Sequence, residues 1–203
     1  MWHALVSAVL SVLVALGPAA GAPSASDPGS QAHESAPQAA DRFWVKDRHR
    51  YTSPWYAGAH RKMIGYGCTR APYYDADPAC AKQRGFHHGL DIAMPCGTRL
   101  FAGMRGWVAR PAAPGAPGAA YGPHAFRIRN HREGVDILIG HARTVYVEAG
   151  DRIRRGMLIA RASDAGAPDG CHLHFEVRPI GGGYADAVRP HDYLQLARAR
   201  VRR

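Results

Sequence analysis

The chain has 203 residues, of which 46% are hydrophobic and 21% are charged, a composition that is typical of a globular protein and excludes a wholly disordered one. This length allows one ordinary domain with flanking segments and excludes two large domains. The formal net charge of +10 favours an anionic partner. The only dense basic cluster lies at the C-terminus without a nucleic-acid-binding motif, so we expect no nucleic acid partner and favour an anionic cell-envelope surface.

The N-terminus has the features of an export signal. An apolar stretch runs from Ala4 to Leu16, which is too short for a membrane span of about 20 residues. The tripeptide Ala20-Gly21-Ala22 follows and matches an A-x-A cleavage site. We therefore predict a signal peptide over residues 1–22 and a secreted, extracytoplasmic protein. An uncleaved anchor and a buried helix are the alternatives.

The rest of the chain divides by composition. Residues 23–42 are rich in Pro, Ala and Ser, which predicts a disordered linker. Large aromatic residues begin at Phe43, so we place a folded domain at 43–197 and a basic tail at 198–203. We expect the mature chain to have no membrane span and to be a monomer.

The chain has four cysteines, Cys68, Cys80, Cys96 and Cys171, and no C-x-x-C pair. An even number without metal-ligand spacing favours disulfides formed outside the cytoplasm. A local bridge from Cys68 to Cys80 would leave Cys96 to pair with Cys171. Four cysteines allow three connectivities, and free buried thiols are the alternative to any of them.

The predicted domain consists of short runs in which apolar and polar residues alternate, separated by Gly and Pro. The runs are His87–Ala93, Arg105–Ala109, Phe126–Asn130, Val135–His141 and His172–Val177. This pattern predicts a mostly β, antiparallel sheet or sandwich domain with long loops. We also predict a loop over Arg110–Pro123, a turn-and-strand pair over Val145–Ile159, and one terminal helix over Asp192–Val201.

The first chemically informative motif is His87-x-Gly89-x-Asp91. On a strand, alternate side chains share a face, so His87 and Asp91 would lie on one face with Gly89 leaving a gap between them. Such a pair can hold a metal ion. A simple hydrogen-bonded His–Asp pair is the alternative when this motif is taken alone.

The second motif is His172-x-His174-x-Glu176. The same alternation puts these three polar residues on one face of a strand and an apolar set on the other (Leu173, Phe175, Val177). Two histidines and a glutamate serve no packing purpose on a solvated face, which favours a role at a cleft. Together the two motifs supply imidazole nitrogens and a carboxylate oxygen, the ligands of a catalytic zinc site that keeps one position for water.

The chain resembles the M23 (lysostaphin/LytM-type) peptidoglycan endopeptidases over Gly85–Arg178. The resemblance rests on the two motifs in this order and on the residues between and around them (Gly97, Ala102-Gly103, Gly140-His141, Gly150-Asp151, Gly156, Phe175, Val177). It implies the duplicated-hybrid-motif-like fold of LytM and one zinc ion held by His87, Asp91 and His174. It also implies catalytic roles for His141 and His172, which would activate the attacking water and stabilise the oxyanion.

Four residues near the motifs remain to be interpreted beside this resemblance. Glu176 is either a partner of a ligand histidine or an ordinary surface carboxylate. Ile139 stands where the family often has a tyrosine, two residues before His141. Cys96 and Cys171 lie close to the metal motifs, where a disulfide would brace the cleft and free thiols would compete for zinc.

The resemblance implies a secreted zinc metalloendopeptidase that hydrolyses peptide cross-links of bacterial peptidoglycan by metal-activated water. A catalytically inactive M23-like module that binds the wall or regulates another hydrolase is the main alternative, although all three ligands and both partner histidines are present. A two-histidine, one-carboxylate iron oxygenase is a second alternative, but its usual H-x-D spacing differs from the H-x-x-x-D found here.

Overall fold

The computed structural model describes residues 41–200. The predicted signal peptide (1–22), almost all of the predicted linker (23–42) and the last three residues lie outside the described residues. The described strands are β1 Arg50–Ser53, β2 Tyr56–Lys62, β3 Gly67–Thr69, β4 Gly85–His87, β5 Gly89–Ala93, β6 Arg99–Phe101, β7 Gly106–Val108, β8 Phe126–Asn130, β9 Val135–Gly140, β10 Ala142–Arg143, β11 Arg152–Ile153, β12 Leu158–Ala162, β13 His172–Pro179 and β14 Ala197–Arg198. One helical turn, α1, covers His191–Leu194, and three 3-10 turns cover Ala81–Gln83, Ala119–Tyr121 and Tyr184–Asp186.

Twelve of the described strands form one curled antiparallel sheet. Its main path is β10-β12-β6-β2-β5-β13-β9-β8-β7-β11, with β1 paired to β2 and β14 paired to β1. Strands β3 and β4 form a separate two-stranded ribbon. The predicted class, mostly antiparallel β with long loops, is confirmed.

The core lies on one face of the central strands. Alternate residues of β5, β9 and β13 are buried there and at most 1% exposed (Leu90, Ile92, Ile137, Ile139, Leu173, Phe175, Val177). Trp55 packs edge-on against Phe175, with ring centroids 4.8 Å apart. Because side chains alternate along a strand, fixing this apolar face directs the intervening polar residues of the same strands to the other face.

Most predicted strands are confirmed with small shifts at their ends. The run Phe126–Asn130 is β8, and the predicted strand at His87–Ala93 is interrupted at His88, where β4 ends and β5 begins. The two parts have different neighbours, since β4 pairs with β3 and β5 pairs with β13. The predicted strand is therefore wrong as one continuous element, although His87 and Asp91 still approach each other.

The predicted terminal helix over Asp192–Val201 is wrong. Only His191–Leu194 is helical, because Gln195 adopts a left-handed conformation with φ of 52° and ends the turn. The chain then extends, and β14 pairs with β1 through Tyr51 and Arg198. The apolar residues that suggested a helix serve the core instead, where Leu194 is fully buried.

The predicted loop over Arg110–Pro123 is confirmed and contains one 3-10 turn, at Ala119–Tyr121. A buried arginine on β8 holds this loop. The Arg127 guanidinium donates to the carbonyl oxygens of Pro114 (2.6 Å) and Ala113 (3.0 Å). It also pairs with Asp136 at 3.2 Å. The loop is thereby fixed against the sheet, and its end carries Tyr121.

Both predicted disulfides are present, Cys68–Cys80 and Cys96–Cys171. The first closes a loop of the segment between β3 and β4. The second ties the chain after β5 to the residue that precedes His172, so it braces the start of β13. Within residues 41–200, none of the helical segments has the length and apolar character that a membrane crossing requires.

Candidate functional site

Three side chains from β4, β5 and β13 converge at one buried point. His87 Nε2 lies 3.4 Å from Asp91 Oδ1, and His174 Nδ1 lies 2.9 Å from the same oxygen. The two imidazole nitrogens are 3.2 Å apart. The three potential ligand atoms all lie within 4.8 Å of one another. The residues that the two motifs predicted as partners are therefore brought together.

The register of β5 and β13 produces this convergence. His174 lies directly opposite Asp91, and Glu176 lies opposite Gly89. A Cβ atom on Gly89 would be 2.5 Å from His174 Cε1 and 2.7 Å from His174 Nε2. The gap that Gly89 leaves is thus filled by the His174 ring, and a larger residue there would displace it.

Hydrogen bonds set which imidazole nitrogen is free. A carbonyl oxygen only accepts, so the His87 Nδ1 that lies 3.0 Å from the Gly65 oxygen donates, and Nε2 keeps its lone pair. His174 has a carboxylate at each ring nitrogen, since Nε2 donates to Glu176 Oε2 at 3.1 Å and Nδ1 lies 2.9 Å from Asp91 Oδ1. Nδ1 therefore offers a lone pair to a metal only when the proton that it shares with Asp91 is displaced. Both His87 Nε2 and His174 Nδ1 face Asp91.

Glu176 is buried and belongs to the site. Its side chain is 0% exposed and accepts hydrogen bonds from His174, from the Tyr121 hydroxyl (2.9 Å) and from Arg178 Nε (2.5 Å). Burial raises the pKa of Glu176, but the bonds from His174 and Arg178 outweigh it and hold the pKa below its usual range. The surface-carboxylate alternative is wrong, since the anionic Glu176 orients a ring of the cluster.

Two further histidines lie beside the cluster. The ring centroids of His141 and His172 are 4.5 Å apart. His141 Nδ1 donates to the Ala165 carbonyl and His172 Nδ1 to the Gly170 carbonyl, both at 2.9 Å. Each ring is therefore held with Nε2 unprotonated when it is neutral. His172 Nε2 lies 3.6 Å from Asp91 Oδ2.

The backbone presents His141 in an unusual conformation. This residue follows β9 with φ of 51°, a region that non-glycine residues enter uncommonly. It is fixed there because its N–H donates to the Tyr121 oxygen and its carbonyl accepts from the Ser163 N–H, both at 2.8 Å. The Ser163 hydroxyl donates to the same carbonyl at 2.9 Å. In this conformation the His141 ring centroid lies 4.5 Å from that of His172 and 6.0 Å from that of His174.

Electrostatic interactions give Asp91, His174 and His141 different pKa shifts. Burial raises the pKa of Asp91, but His87, His172 and His174 outweigh it and lower that pKa well below its usual value. Burial lowers the pKa of His174, but the neighbouring Asp91 and Glu176 raise it to about 9. Burial, His172 and His174 together lower the pKa of His141 to about 4. Asp91 is thus an anion and His141 a neutral base at pH 7.

Residues 85–190, just over half of the chain, match the model of peptidase family M23. The chain belongs to peptidase family M23.

Solved structures agree with this assignment. The catalytic domain of the antimicrobial peptidase lysostaphin from Staphylococcus simulans is 22% identical, with a TM-score of 0.53 over 67% of this chain and 92% of that one. LytU is 27% identical, with a TM-score of 0.54 over 68% and 86%. A mutant catalytic domain of the prophage-encoded M23 protein EnpA from Enterococcus faecalis is 22% identical, with a TM-score of 0.50 over 70% and 96%. These likenesses show the M23 fold.

The cluster of His87, Asp91 and His174 opens into a cleft of about 720 Å³, which is called the M23 cleft below. His87, His174 and His141 line it, and His172 does not. The walls are largely aromatic and come from the loops on either side (Tyr73, Tyr74, Phe86, Tyr121, Tyr184). A cleft of this size with a polar floor can hold several residues of an extended peptide.

Tyrosines reach the M23 cleft from positions that the sequence did not indicate. Ile139, where the family often has a tyrosine, is a core residue and 1% exposed. Tyr74 packs on His87, and Tyr121 packs on His174, with ring centroids 5.3 and 5.1 Å apart respectively. Both lie in loops, and Tyr121 is 55 residues from Glu176 in the chain, so no local spacing could have identified them.

Proposed function

We propose that this M23 peptidase is a secreted zinc endopeptidase that hydrolyses peptide cross-links of bacterial peptidoglycan. The observation that carries the proposal is the convergence of His87 Nε2, Asp91 Oδ1 and His174 Nδ1 on one point beside a cleft. The peptidoglycan substrate follows from the family resemblance. Two disulfides support a location outside the cytoplasm, where such bonds persist.

The donor set fits zinc. Two imidazole nitrogens and one anionic carboxylate oxygen are the ligands of many catalytic zinc sites, and the metal displaces any proton on a ligand nitrogen when it binds. The hydrogen bonds from His87 to Gly65 and from His174 to Glu176 present those nitrogens towards Asp91. A zinc ion bound by these three residues would lower the pKa of a water molecule to about 7 and polarise the scissile carbonyl.

The chain's own residues would carry the proton transfers. Hydrolysis of an amide adds water across the C–N bond, so one proton must leave the attacking oxygen and one must reach the leaving nitrogen. His141 lines the cleft and is neutral at pH 7, because burial lowers its pKa to about 4. Its unprotonated Nε2 can accept the first proton and return it to the amine.

His172 is suited to the complementary role. Its Nδ1 is committed to the Gly170 carbonyl, so its Nε2 becomes a donor only when the ring is protonated. Its Nε2 lies 3.6 Å from Asp91 Oδ2, and its ring centroid is 4.5 Å from that of His141. A protonated His172 would lie beside His141 without lining the cleft, and would add positive charge near the carbonyl oxygen on which negative charge develops.

The presence of the full residue set supports an enzyme over an inactive module. A protein that only binds wall has no need for three converging ligands with their tautomers fixed. It also has no need for a buried neutral base in the cleft, such as His141. The geometry therefore favours catalysis.

The direct test is a digest of purified peptidoglycan. We expect the protein with one equivalent of zinc to release soluble fragments whose masses correspond to cleavage within the peptide cross-links. Identification of the new amino terminus in each product by mass spectrometry gives the bond that is cut. Release of glycan fragments with intact cross-links, or no release at all, would contradict the proposal.

A second prediction concerns Glu176. The substitution Glu176→Gln is nearly isosteric, but it removes the charge that fixes the His174 tautomer and places an amide against Arg178 or Tyr121. We expect the affinity for zinc to fall by about 10- to 100-fold, which is typical for loss of a carboxylate behind a ligand histidine. Competition with a chromophoric chelator measures this affinity.

Glu133→Gln is the matched control for this prediction. Glu133 is exposed, and within residues 41–200 its only ion pair is a 4.0 Å contact with Arg132. The control should bind zinc as tightly as the parent. Equal zinc affinities for Glu176→Gln and the parent, with both folded by circular dichroism, would show that Glu176 does not orient the ligand.

A further inference from the structure

A second concave surface lies at the far end of the sheet. It has a volume of about 490 Å³ and is formed by β7, the end of β8 and β11. We call it the basic patch and define it by six residues, Arg105, Trp107, Arg132, Arg152, Arg154 and Arg155. All six are exposed. No acidic side chain lines this surface among the residues that the structure describes.

The positive charge of the basic patch is largely unpaired. Within residues 41–200, the only ion pair made by its five arginines is that of Arg132 with Glu133, at 4.0 Å. The nearby Asp151 carboxylate accepts the Glu148 amide instead, at 2.8 Å. The other four guanidinium groups line one surface without a carboxylate partner among the described residues, so an anionic ligand would meet uncompensated positive charge there.

An exposed tryptophan lies among these arginines. Trp107 is 47% exposed, and the Arg152 guanidinium lies 5.9 Å from its ring centroid. An aromatic face beside several planar cations is an amphipathic surface that can contact the apolar face of a sugar or peptide while the arginines hold its anionic groups. This combination distinguishes the basic patch from a merely solvated charged face.

The basic patch is separate from the M23 cleft. The cleft is at the end of β9 where Gly140 pairs with His174, whereas the patch is at the other end, where Asn130 pairs with Val135. Five residues of extended strand separate the two ends by about 17 Å, and β7 lies two strands, or about 10 Å, across from β9. The two places are therefore about 20 Å apart, a distance that a long polymer can span and a small fragment bound in the cleft cannot.

We propose that the basic patch is a second binding site for peptidoglycan, which holds free carboxylates of its stem peptides while the cleft cuts a cross-link elsewhere on the same polymer. This proposal rests on the proposed function. A guanidinium fork matches a carboxylate with two parallel hydrogen bonds. Peptidoglycan presents many such groups on one insoluble network, so a second contact raises the effective concentration of cross-links at the cleft.

The test compares insoluble and soluble substrates. The triple variant Arg105→Gln, Arg152→Gln, Arg154→Gln removes three charges from the basic patch without touching the cleft. We expect its rate on intact peptidoglycan, stripped of phosphate-bearing polymers, to fall by about tenfold, as three exposed pairs of modest strength predict. The second substrate is a soluble fragment that consists of two cross-linked stem peptides and is too small to reach the patch. On this soluble cross-linked fragment, the rate of the triple variant should equal that of the parent.

A charge-matched control uses three exposed arginines outside the patch. The variant Arg48→Gln, Arg189→Gln, Arg198→Gln has the same net charge as the patch variant. We expect it to sediment with peptidoglycan as the parent does, whereas the patch variant should sediment poorly. Amidation of the carboxylates of peptidoglycan should lower sedimentation of the parent to the level of the patch variant.

Three outcomes would overturn the proposal. The first is that the patch variant sediments with peptidoglycan as well as the control variant does. The second is that amidated peptidoglycan binds the parent as well as untreated peptidoglycan does. The third is that the patch variant loses binding to duplex DNA or to anionic vesicles but still binds peptidoglycan as the parent does. Failure of the proposed function would give a different pair of results. The parent would leave the soluble cross-linked fragment uncut, but its sedimentation with peptidoglycan would still depend on the patch.

Discussion

His174→Ala is expected to remove zinc from the protein and to lower peptidoglycan hydrolysis by at least about a thousandfold, because several kcal/mol of transition-state stabilisation depend on the metal. His174 contacts both carboxylates of the site, since its Nδ1 lies 2.9 Å from Asp91 and its Nε2 lies 3.1 Å from Glu176. Without the ring, only His87 and Asp91 remain as ligands, and Glu176 loses a donor inside a buried site. Two ligands are too few for a catalytic zinc site.

The measurement has two parts. Metal content after dialysis against a weak chelator should be about one zinc per chain for the parent and close to none for the variant. Hydrolysis should follow the metal, so a chelated parent should regain activity with one equivalent of zinc while His174→Ala should not. His124→Ala is a suitable control because His124 is exposed and lies outside the cluster. A His174→Ala protein that retained one zinc and full activity would exclude this residue as a ligand.

The ligand set could be predicted from sequence because its geometry follows from the alternation of side chains along strands. Once Leu173, Phe175 and Val177 were assigned to the core, His174 and Glu176 had to lie on the opposite face, and the structure places them there. The same reasoning put His87 and Asp91 on one side of Gly89. The alternation of side chains between the two faces of a strand is a local property, so it can be determined from the sequence of that strand alone.

The register between strands could not be predicted in this way. The register aligns two segments that are more than 80 residues apart in the chain. It places His174 opposite Asp91 and Glu176 opposite Gly89. The burial of Glu176 follows from that alignment and from Tyr121, which arrives on a loop held by Arg127. The sequence therefore could not distinguish a partner of a ligand histidine from a surface carboxylate at Glu176. The tertiary structure shows that Glu176 is buried and bonded to His174.

The C-terminal segment was predicted wrongly because its local preference was overridden. The residues after Pro190 favour a helix, and a helix does begin there. It stops after one turn because Leu194 is buried in the core, and the following residues pair with β1. An unpaired edge of β1 gains more from backbone hydrogen bonds with β14 than a short terminal helix gains from its own.

His141→Asn is expected to leave zinc bound while lowering kcat by about 10²- to 10⁴-fold, the usual cost of losing a general base. Asparagine is the appropriate replacement because His141 has φ of 51°, a conformation that asparagine tolerates better than alanine. The backbone bonds to Tyr121 and Ser163 are therefore retained, while the imidazole that would accept the proton is removed. His141 also makes no contact with Asp91 or His87 among the described ion pairs and hydrogen bonds, so the ligands should be undisturbed.

This substitution also separates an enzyme from a binding module. Zinc content, thermal melting temperature and sedimentation with intact peptidoglycan should match those of the parent, because neither the ligands nor the basic patch is altered. Only turnover should fall, and it should fall equally on the soluble cross-linked fragment, since the loss is in the chemical step. If His141→Asn cut that fragment as fast as the parent, the general base would have to be another group, and His172, 4.5 Å away between ring centroids, would be the next residue to replace.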